Sequence, residues 1–203
     1  MTIKALMVDV DGVVVRHPDG RRWDHDLEAD LGLSSRTLQE AFFAPHFDDV
    51  VLGRADLHER LAPVLAKVAP HLSAQALTDY WFEKDAHLDL GLLDALAAVR
   101  ATGLALHLAT VQEHRRAEHL WTRLGLRDRF DAMHYAADYG TRKPEPAFFQ
   151  AVCARTGFAP GDLVLIDDSA RNVETARACG WGGVLWDGTL SLAEALAEAG
   201  VRL

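Results

Sequence analysis

The sequence predicts an α/β protein: a parallel sheet covered by helices on both faces, interrupted after its first strand by an all-helical segment. Three observations carry this prediction. From about residue 90 onward, helical and extended patterns alternate strictly with short links, the signature of strands joined by crossover helices. The runs read as strands are short and apolar on both faces, as a sheet buried on both sides requires. Between residues 16 and 88 the texture changes: charge and histidine rise, apolar positions recur at helical spacing, and no strand pattern occurs. A chain of 203 residues, 49% hydrophobic and 25% charged, has the length for one domain with an insertion.

Taken in order, residues 3–8 are the first strand, β-branched and apolar. Within the insertion, "DLHERLAPVLAKVA" (56–69) and "SAQALTDYWFEKD" (73–85) are the clearest helices, the second with Ser73 as its N-cap. Then "GLLDALAAVRATG" is an amphipathic helix closed by Gly103, and "LALHLAT" is a strand ending at Thr110. "EHRRAEHLWTRLG" is a helix ending at Gly125, "AMHYAA" a short strand, and "PAFFQAVCARTG" a helix. "DLVLIDD" is a strand, "SARNVETARACG" a helix, "GGVLW" the last strand and "SLAEALAEAG" the closing helix. The sheet is Rossmann-like. Residues 1–15 and 89–203 form its core, and residues 16–88 form a separate small helical domain.

The net charge of −9 argues against a nucleic-acid partner, which would need a basic face, but not against a small anionic substrate in a locally positive pocket. Cys153 and Cys179 have no metal or redox spacing and read as two reduced core thiols. No segment is long enough to span a membrane, and the acids that interrupt the N-terminal apolar run argue against a signal peptide. The expectation is a cytoplasmic protein, a monomer or homodimer. His107 lies inside an apolar strand and reads as a core residue. His114 and His119, five apart on a helix, make a poor metal pair. The Phe pairs at 42–43 and 148–149 read as core packing.

In an open parallel sheet, functional groups collect beyond the carboxyl ends of the strands. Asp9 and Asp11 follow the first strand, Thr110 ends the second, Lys143 follows the third, and Asp167 and Asp168 follow the fourth. Buried acids at such spacing repel one another unless a cation joins them. Hard oxygen donors of this kind suit magnesium, which keeps several waters and often partners a phosphate.

These residues also carry a resemblance. "DVDGVV", "LHLAT", "TRKPEPAFF" and "LVLIDDSARNVETARACG" resemble, in order, the four motifs of the haloacid dehalogenase-like superfamily, most of whose members are phosphatases. The likeness spans essentially the whole chain. It implies that Asp9 is the nucleophile that accepts the phosphoryl group, and that Asp11 is the acid that protonates the leaving alcohol and then assists water. Thr110 Oγ1 and the Val111 amide would bind phosphoryl oxygens, and Lys143 would neutralise their charge. Asp9, the Asp11 carbonyl oxygen and Asp168 would bind Mg2+, with Asp167 supporting them from behind. Val111 departs from the pattern, which commonly has Asn there.

The helical segment resembles the small cap of the family, which closes over the site. "GRADLHERL" resembles its substrate-contacting loop, with Gly53 as the bend and Arg54 available to bind substrate. Arg16, Arg21 and Arg22, near the first crossover, are further candidates, ranked behind Arg54. The function implied is a magnesium-dependent phosphatase of small phosphorylated metabolites, sugar phosphates among them. A phosphomutase of the β-phosphoglucomutase type is the alternative. A haloacid dehalogenase, which does not need Asp11 and the Asp167–Asp168 pair, and a non-catalytic binding module stand further off.

Overall fold

The computed structural model describes residues 3–17 and 19–201; positions 1–2 and 202–203 of the expected core, and 18 of the expected insertion, lie outside the described residues. Five parallel strands form one sheet in the order β3-β2-β1-β4-β5, with β1 at Ala5–Val8, β2 at Ala105–Thr110, β3 at Ala132–Tyr135, β4 at Leu163–Asp167 and β5 at Gly182–Leu185.

The central strand shows why its sequence is apolar without alternation. Ala5, Leu6, Met7 and Val8 are all fully buried, and their side chains part to the two faces at period two. Leu6 and Val8 join a cluster with Leu106, Leu108, Val164 and Ile166. Ala5 and Met7 pack instead with Phe148, Phe149 and Leu165. Each face is covered by the amphipathic helices expected between the strands.

The helical segment has a core of its own. It contains α1 (Leu27–Leu31), α2 (Ser35–Leu38), α3 (Ala44–Val51), α4 (Leu57–Val68) and α5 (Ala74–Lys84), with a π-helical turn at Gln39–Phe43 joining α2 to α3. Leu27, Leu38, Phe42, Leu61, Leu65 and Leu77 form its centre, and Trp23 stacks on Trp81 at 5.2 Å. Caps start the helices where the sequence indicates: Ser73 accepts a hydrogen bond from Ala76 N, and Asp56 accepts from His58 N and Glu59 N. The chain's two crossings into and out of this segment are stitched together. Arg16 N donates to His87 O and Asp89 N to Val14 O, both at 2.9 Å, and Val15 and Leu88 form an antiparallel bridge.

On the core side follow α6 (Leu90–Arg100), α7 (His114–Glu118), α8 (Ala136–Tyr139), α9 (Pro146–Thr156), α10 (Ala170–Ala178) and α11 (Leu192–Glu198). The single helix expected over 113–125 runs from His114 to Arg123, its turn widening after Glu118 to a π-helical one at His119–Arg123. No helix among the described residues is long and apolar enough to cross a membrane.

His107 is indeed buried, but it has a partner that sequence reading overlooks. Its Nδ1 lies 3.0 Å from His134 Nε2 on β3, and His134 Nδ1 lies 2.7 Å from the Tyr139 hydroxyl. Only one proton fits between the two rings, so they cannot both be imidazolium ions. Burial, then the charges of His107 and Arg155, push His134 down to about 4. A histidine depressed below its ordinary 6.5 adds stability that is complete above pH 6.5 and is lost as pH falls toward 4. The expected loss over that window is about 3 kcal/mol from His134. Denaturant unfolding at pH 7.5 and pH 4.5 should therefore show a smaller acid-induced loss in His134→Gln than in the parent; equal losses would place the acid sensitivity elsewhere.

Candidate active site

The chain turns sharply where β1 ends. Asp9 N still donates to Ile166 O of β4 at 2.9 Å, and the backbone then folds back so that Val15 N donates to Val10 O at 2.8 Å. Gly12 sits in that turn at φ +78°, a conformation that favours glycine. A second reason for glycine is space: a Cβ there would lie 2.2 Å from Asp168 Oδ2. The turn after β1 and the acid after β4 are thus pressed together.

Asp9 is 8% exposed. Its Oδ1 accepts from Val10 N at 2.7 Å and its Oδ2 lies 2.9 Å from Lys143 Nζ. Lys143, itself buried, also donates to Asp167 Oδ2 at 2.5 Å. Burial alone would lower the lysine's pKa, but the charges of Asp9 and Asp167 raise it, so Lys143 stays a cation. Asp167 is further held by Ser169 N and Asn172 Nδ2, both 2.9 Å from its Oδ1.

Asp9, Asp167 and Asp168 each offer a carboxylate oxygen within 4.8 Å of the others. One lysine answers this acid cluster. Burial first, then the neighbouring Asp167 and Asp11, push Asp9 up to about 7 against the pull of Lys143. Asp168 is raised too, by burial and by Asp167.

Asp11 stands apart from the cluster and is open to the cleft. Protein surrounds it closely enough that desolvation raises its pKa; the charge of Asp85 adds to this, and Arg116 and a hydrogen bond from Gln112 oppose it. Gln112 Nε2 donates to Asp11 Oδ2 at 2.6 Å and reaches Thr110 Oγ1 at 3.4 Å. Thr110 is fully buried at the end of β2.

Val111 uses its apolar side chain. It packs with Val51 and Leu52 from the end of α3, and with Ala136. Gly53, just beyond, lies so close to the core that a Cβ would sit 2.4 Å from Ala137 O. Ion pairs fasten the same boundary, Arg142 to Asp48 at 2.7 Å and Arg115 to Asp56 at 2.9 Å.

Arg54 is not brought to the acids. Its side chain is 62% exposed and lies 3.7 Å from Asp49, and it does not line the cleft above Asp11. The local cause is Asp49, whose backbone oxygen accepts from Arg54 N and whose carboxylate attracts the guanidinium. The cleft, about 640 Å3, is walled by Asp11, Asp168, Trp23 and Trp186, with Arg16, Arg21 and Arg22 from the first crossover.

Three participants escape sequence reading. Gln112 lies two residues beyond Thr110, where the polar run after an apolar strand is its only signal. Asn172 is placed by the Ser169 cap, whose hydroxyl accepts from Asn172 N at 3.4 Å and turns that residue back toward Asp167. Arg116 is one of two arginines in "EHRRAEH", yet its side chain is 1% exposed, donates to the carbonyl oxygens of Phe82 and Asp85, and lies 3.3 Å from the Asp85 carboxylate. Nothing in the sequence separates it from Arg115.

Residues 3–180 match the family model described as haloacid dehalogenase-like hydrolase. The phosphoglycolate phosphatase of Thiobacillus denitrificans is 28% identical, over 89% of this chain and 81% of its own. The N-acetylmuramic acid 6-phosphate phosphatase of Pseudomonas aeruginosa is also 28% identical, over 89% of this chain and 80% of its own. Among solved structures, a HAD family enzyme of Bacteroides thetaiotaomicron in complex with magnesium and inorganic phosphate shares the fold. It has a TM-score of 0.79 at 18% identity, covering 95% of this chain and 98% of that one.

Proposed function

Because the chain belongs to the haloacid dehalogenase-like hydrolases, we propose that it is a magnesium-dependent phosphatase of small phosphorylated metabolites, sugar phosphates among them, working through an aspartyl-phosphate on Asp9. The observation that carries this reading is the buried cluster at the strand ends, three carboxylates within 4.8 Å of one another with one lysine between Asp9 and Asp167. The curated relatives named as phosphatases support it.

The donor set fits magnesium. All its oxygens are hard, and the acids outnumber the cation that answers them. Asp9, the carbonyl oxygen of Asp11 and Asp168 would hold the ion. Asp167, whose oxygens are already engaged by Lys143, Ser169 and Asn172, supports the set from behind. When bound, magnesium supplies positive charge that lets an anionic phosphoryl group approach an anionic carboxylate.

The residues then divide the work. A carboxylate oxygen of Asp9 attacks phosphorus, the ester P–O bond breaks, and Asp11 gives its proton to the departing alkoxide. Desolvation of Asp11 by the protein packed around it favours the protonated form this step needs. Gln112 keeps the acid aimed by donating to its Oδ2, leaving Oδ1 for the proton. Thr110 Oγ1 and the Val111 amide bind phosphoryl oxygens, and Lys143 neutralises charge on them and on Asp9. In the second half Asp11 takes a proton from water, water oxygen bonds to phosphorus, and the Asp9–phosphorus bond breaks to release phosphate. Residues 16–88 act as a cap that excludes bulk water meanwhile.

The test is phosphate release from a panel of phosphorylated metabolites with magnesium and with a chelator. Free phosphate formed only with magnesium is expected; isomerised sugar phosphate without free phosphate would favour the mutase alternative. Asp11→Asn refines the test. It should slow the phosphoryl-transfer step by about 10²–10⁴-fold for alkyl phosphates and far less for 4-nitrophenyl phosphate, whose leaving group needs little protonation. Equal losses for both would remove Asp11 as the acid.

A further inference from the structure

The phosphatase reading leaves open what holds the leaving group, and Arg54 does not line the cleft. Three arginines are among the side chains that do line it. Arg16, Arg21 and Arg22 border the same cavity as Asp11 and Asp168, on a chain whose net charge is −9. Four acids, Asp11, Asp85, Asp168 and Asp187, line it as well, so what matters is which of these charges is already answered.

The three arginines differ in what they have left to bind. Arg22 is held by Asp24 through Nε at 3.0 Å and Nη2 at 3.2 Å, so its charge is answered within its own loop. Arg16 donates from Nη2 to the carbonyl oxygen of Asp187 at 3.1 Å, an uncharged partner that fixes its position beside the cleft. Arg21 lines the cavity and makes no hydrogen bond or ion pair among the described residues.

The acids of the cleft are committed elsewhere. The Asp187 carboxylate accepts from Thr189 N and Oγ1 at 2.8 and 2.6 Å. Asp85 lies 3.3 Å from the buried Arg116. Asp11 is held by Gln112, and Asp168 belongs to the acid cluster. An exposed arginine without an acid partner is ordinary. Arg21 with Arg16 beside it, on one cavity next to the proposed phosphoryl site, offers two guanidinium groups to a second anion, between the indoles of Trp23 and Trp186. A guanidinium fork meets a planar carboxylate with two parallel hydrogen bonds.

We propose, resting on the phosphatase reading, that this cleft selects phosphomonoesters whose leaving group carries a carboxylate, bound by Arg21 and Arg16. The site's substrates are then phosphorylated hydroxy acids, and neutral polyol phosphates are its poor ones. The reactions that supply such substrates are those that phosphorylate a hydroxy acid or oxidise a phosphorylated aldehyde.

Two matched pairs test this at two lengths: 3-phosphoglycerate against glycerol 3-phosphate, and 6-phosphogluconate against sorbitol 6-phosphate. With magnesium present, the acid member of at least one pair should show a kcat/KM about tenfold or more above its neutral counterpart. In Arg21→Ala and Arg16→Gln that ratio should fall toward one. Because the ratio is taken within one preparation, loss of folded protein cancels from it. Neutral members turned over as well as acids in both pairs would overturn the proposal. So would a preference that persists undiminished in both variants. Absence of phosphate release from all four compounds and from 4-nitrophenyl phosphate would overturn the phosphatase reading, and this inference with it.

Discussion

Asp9→Asn should lose turnover by about 10⁴-fold or more, because an amide of the same shape is uncharged and too weak a nucleophile to form the acyl phosphate that a carboxylate oxygen forms. Rate alone would not separate a lost nucleophile from a damaged fold, so stability is the second readout. Asp9 titrates at about 7 in the folded chain against an ordinary 3.8. An acid raised in this way favours folding below its unfolded value, and that advantage is lost as pH rises through 7. Above pH 7 the ionised group costs the metal-free protein up to about 4 kcal/mol. The amide removes the charge, but it cannot accept from both Val10 N and Lys143 Nζ as the carboxylate does, so one of those donors loses its partner. The net expectation at pH 8 without magnesium is a variant more stable than the parent by about 1–2 kcal/mol. Magnesium should then raise the melting temperature of the parent by more than that of the variant. Near-normal phosphate release by Asp9→Asn would remove Asp9 from the mechanism, whatever the melting data.

Lys143→Met should move stability in the opposite direction. The lysine side chain is fully buried between Asp9 and Asp167, and removing one partner of a buried ion pair typically costs about 3–5 kcal/mol because the remaining charge is stranded. Asp9 can relieve the strain by taking a proton, so the deficit should shrink as pH is lowered from 8 to 6. Activity should fall by about 10²–10³-fold, the usual loss when a preorganised charge facing a transferring group is deleted. Chemical denaturation at both pH values, alongside single-turnover rates, checks the two parts separately. A variant as stable as the parent at pH 8 would mean that the acids do not depend on the lysine in the metal-free state.

Much of this architecture was legible because the signals that specify it are local. Burial on both faces leaves a strand such as Ala5–Val8 nowhere to place a polar residue, so the aspartates after it stand out against the run. Ser73 and Asp56 announce their helices through the hydrogen bonds a cap must make. What stayed hidden depends on distant pairings. The His107–His134 contact joins neighbouring strands whose register no periodicity records. Arg116 and Arg115 are adjacent in sequence, and which of them is buried depends on where the end of α5 comes to rest. Arg54 is the converse case: the stretch around it resembles a substrate loop, yet Asp49 lies nearby and attracts its charge. Arg21 and Arg16, ranked behind Arg54 in the sequence, face the cleft because the first crossover runs along its edge.

That crossover is hydrogen-bonded to the returning one, with Arg16 N on His87 O and Val15 beside Leu88. Seen from the sheet, the chain departs and comes back at a single point, as it would through a hairpin. The core's wiring is therefore indifferent to what hangs from that point. The entropy of closing such an excursion grows only with the logarithm of its length, so a two-residue turn or a whole folded unit can occupy the same socket without rerouting a strand. Exchange of the helical unit for another is then a change of one module, and the acids at the strand ends keep their chemistry while the surface opposite them is rewritten.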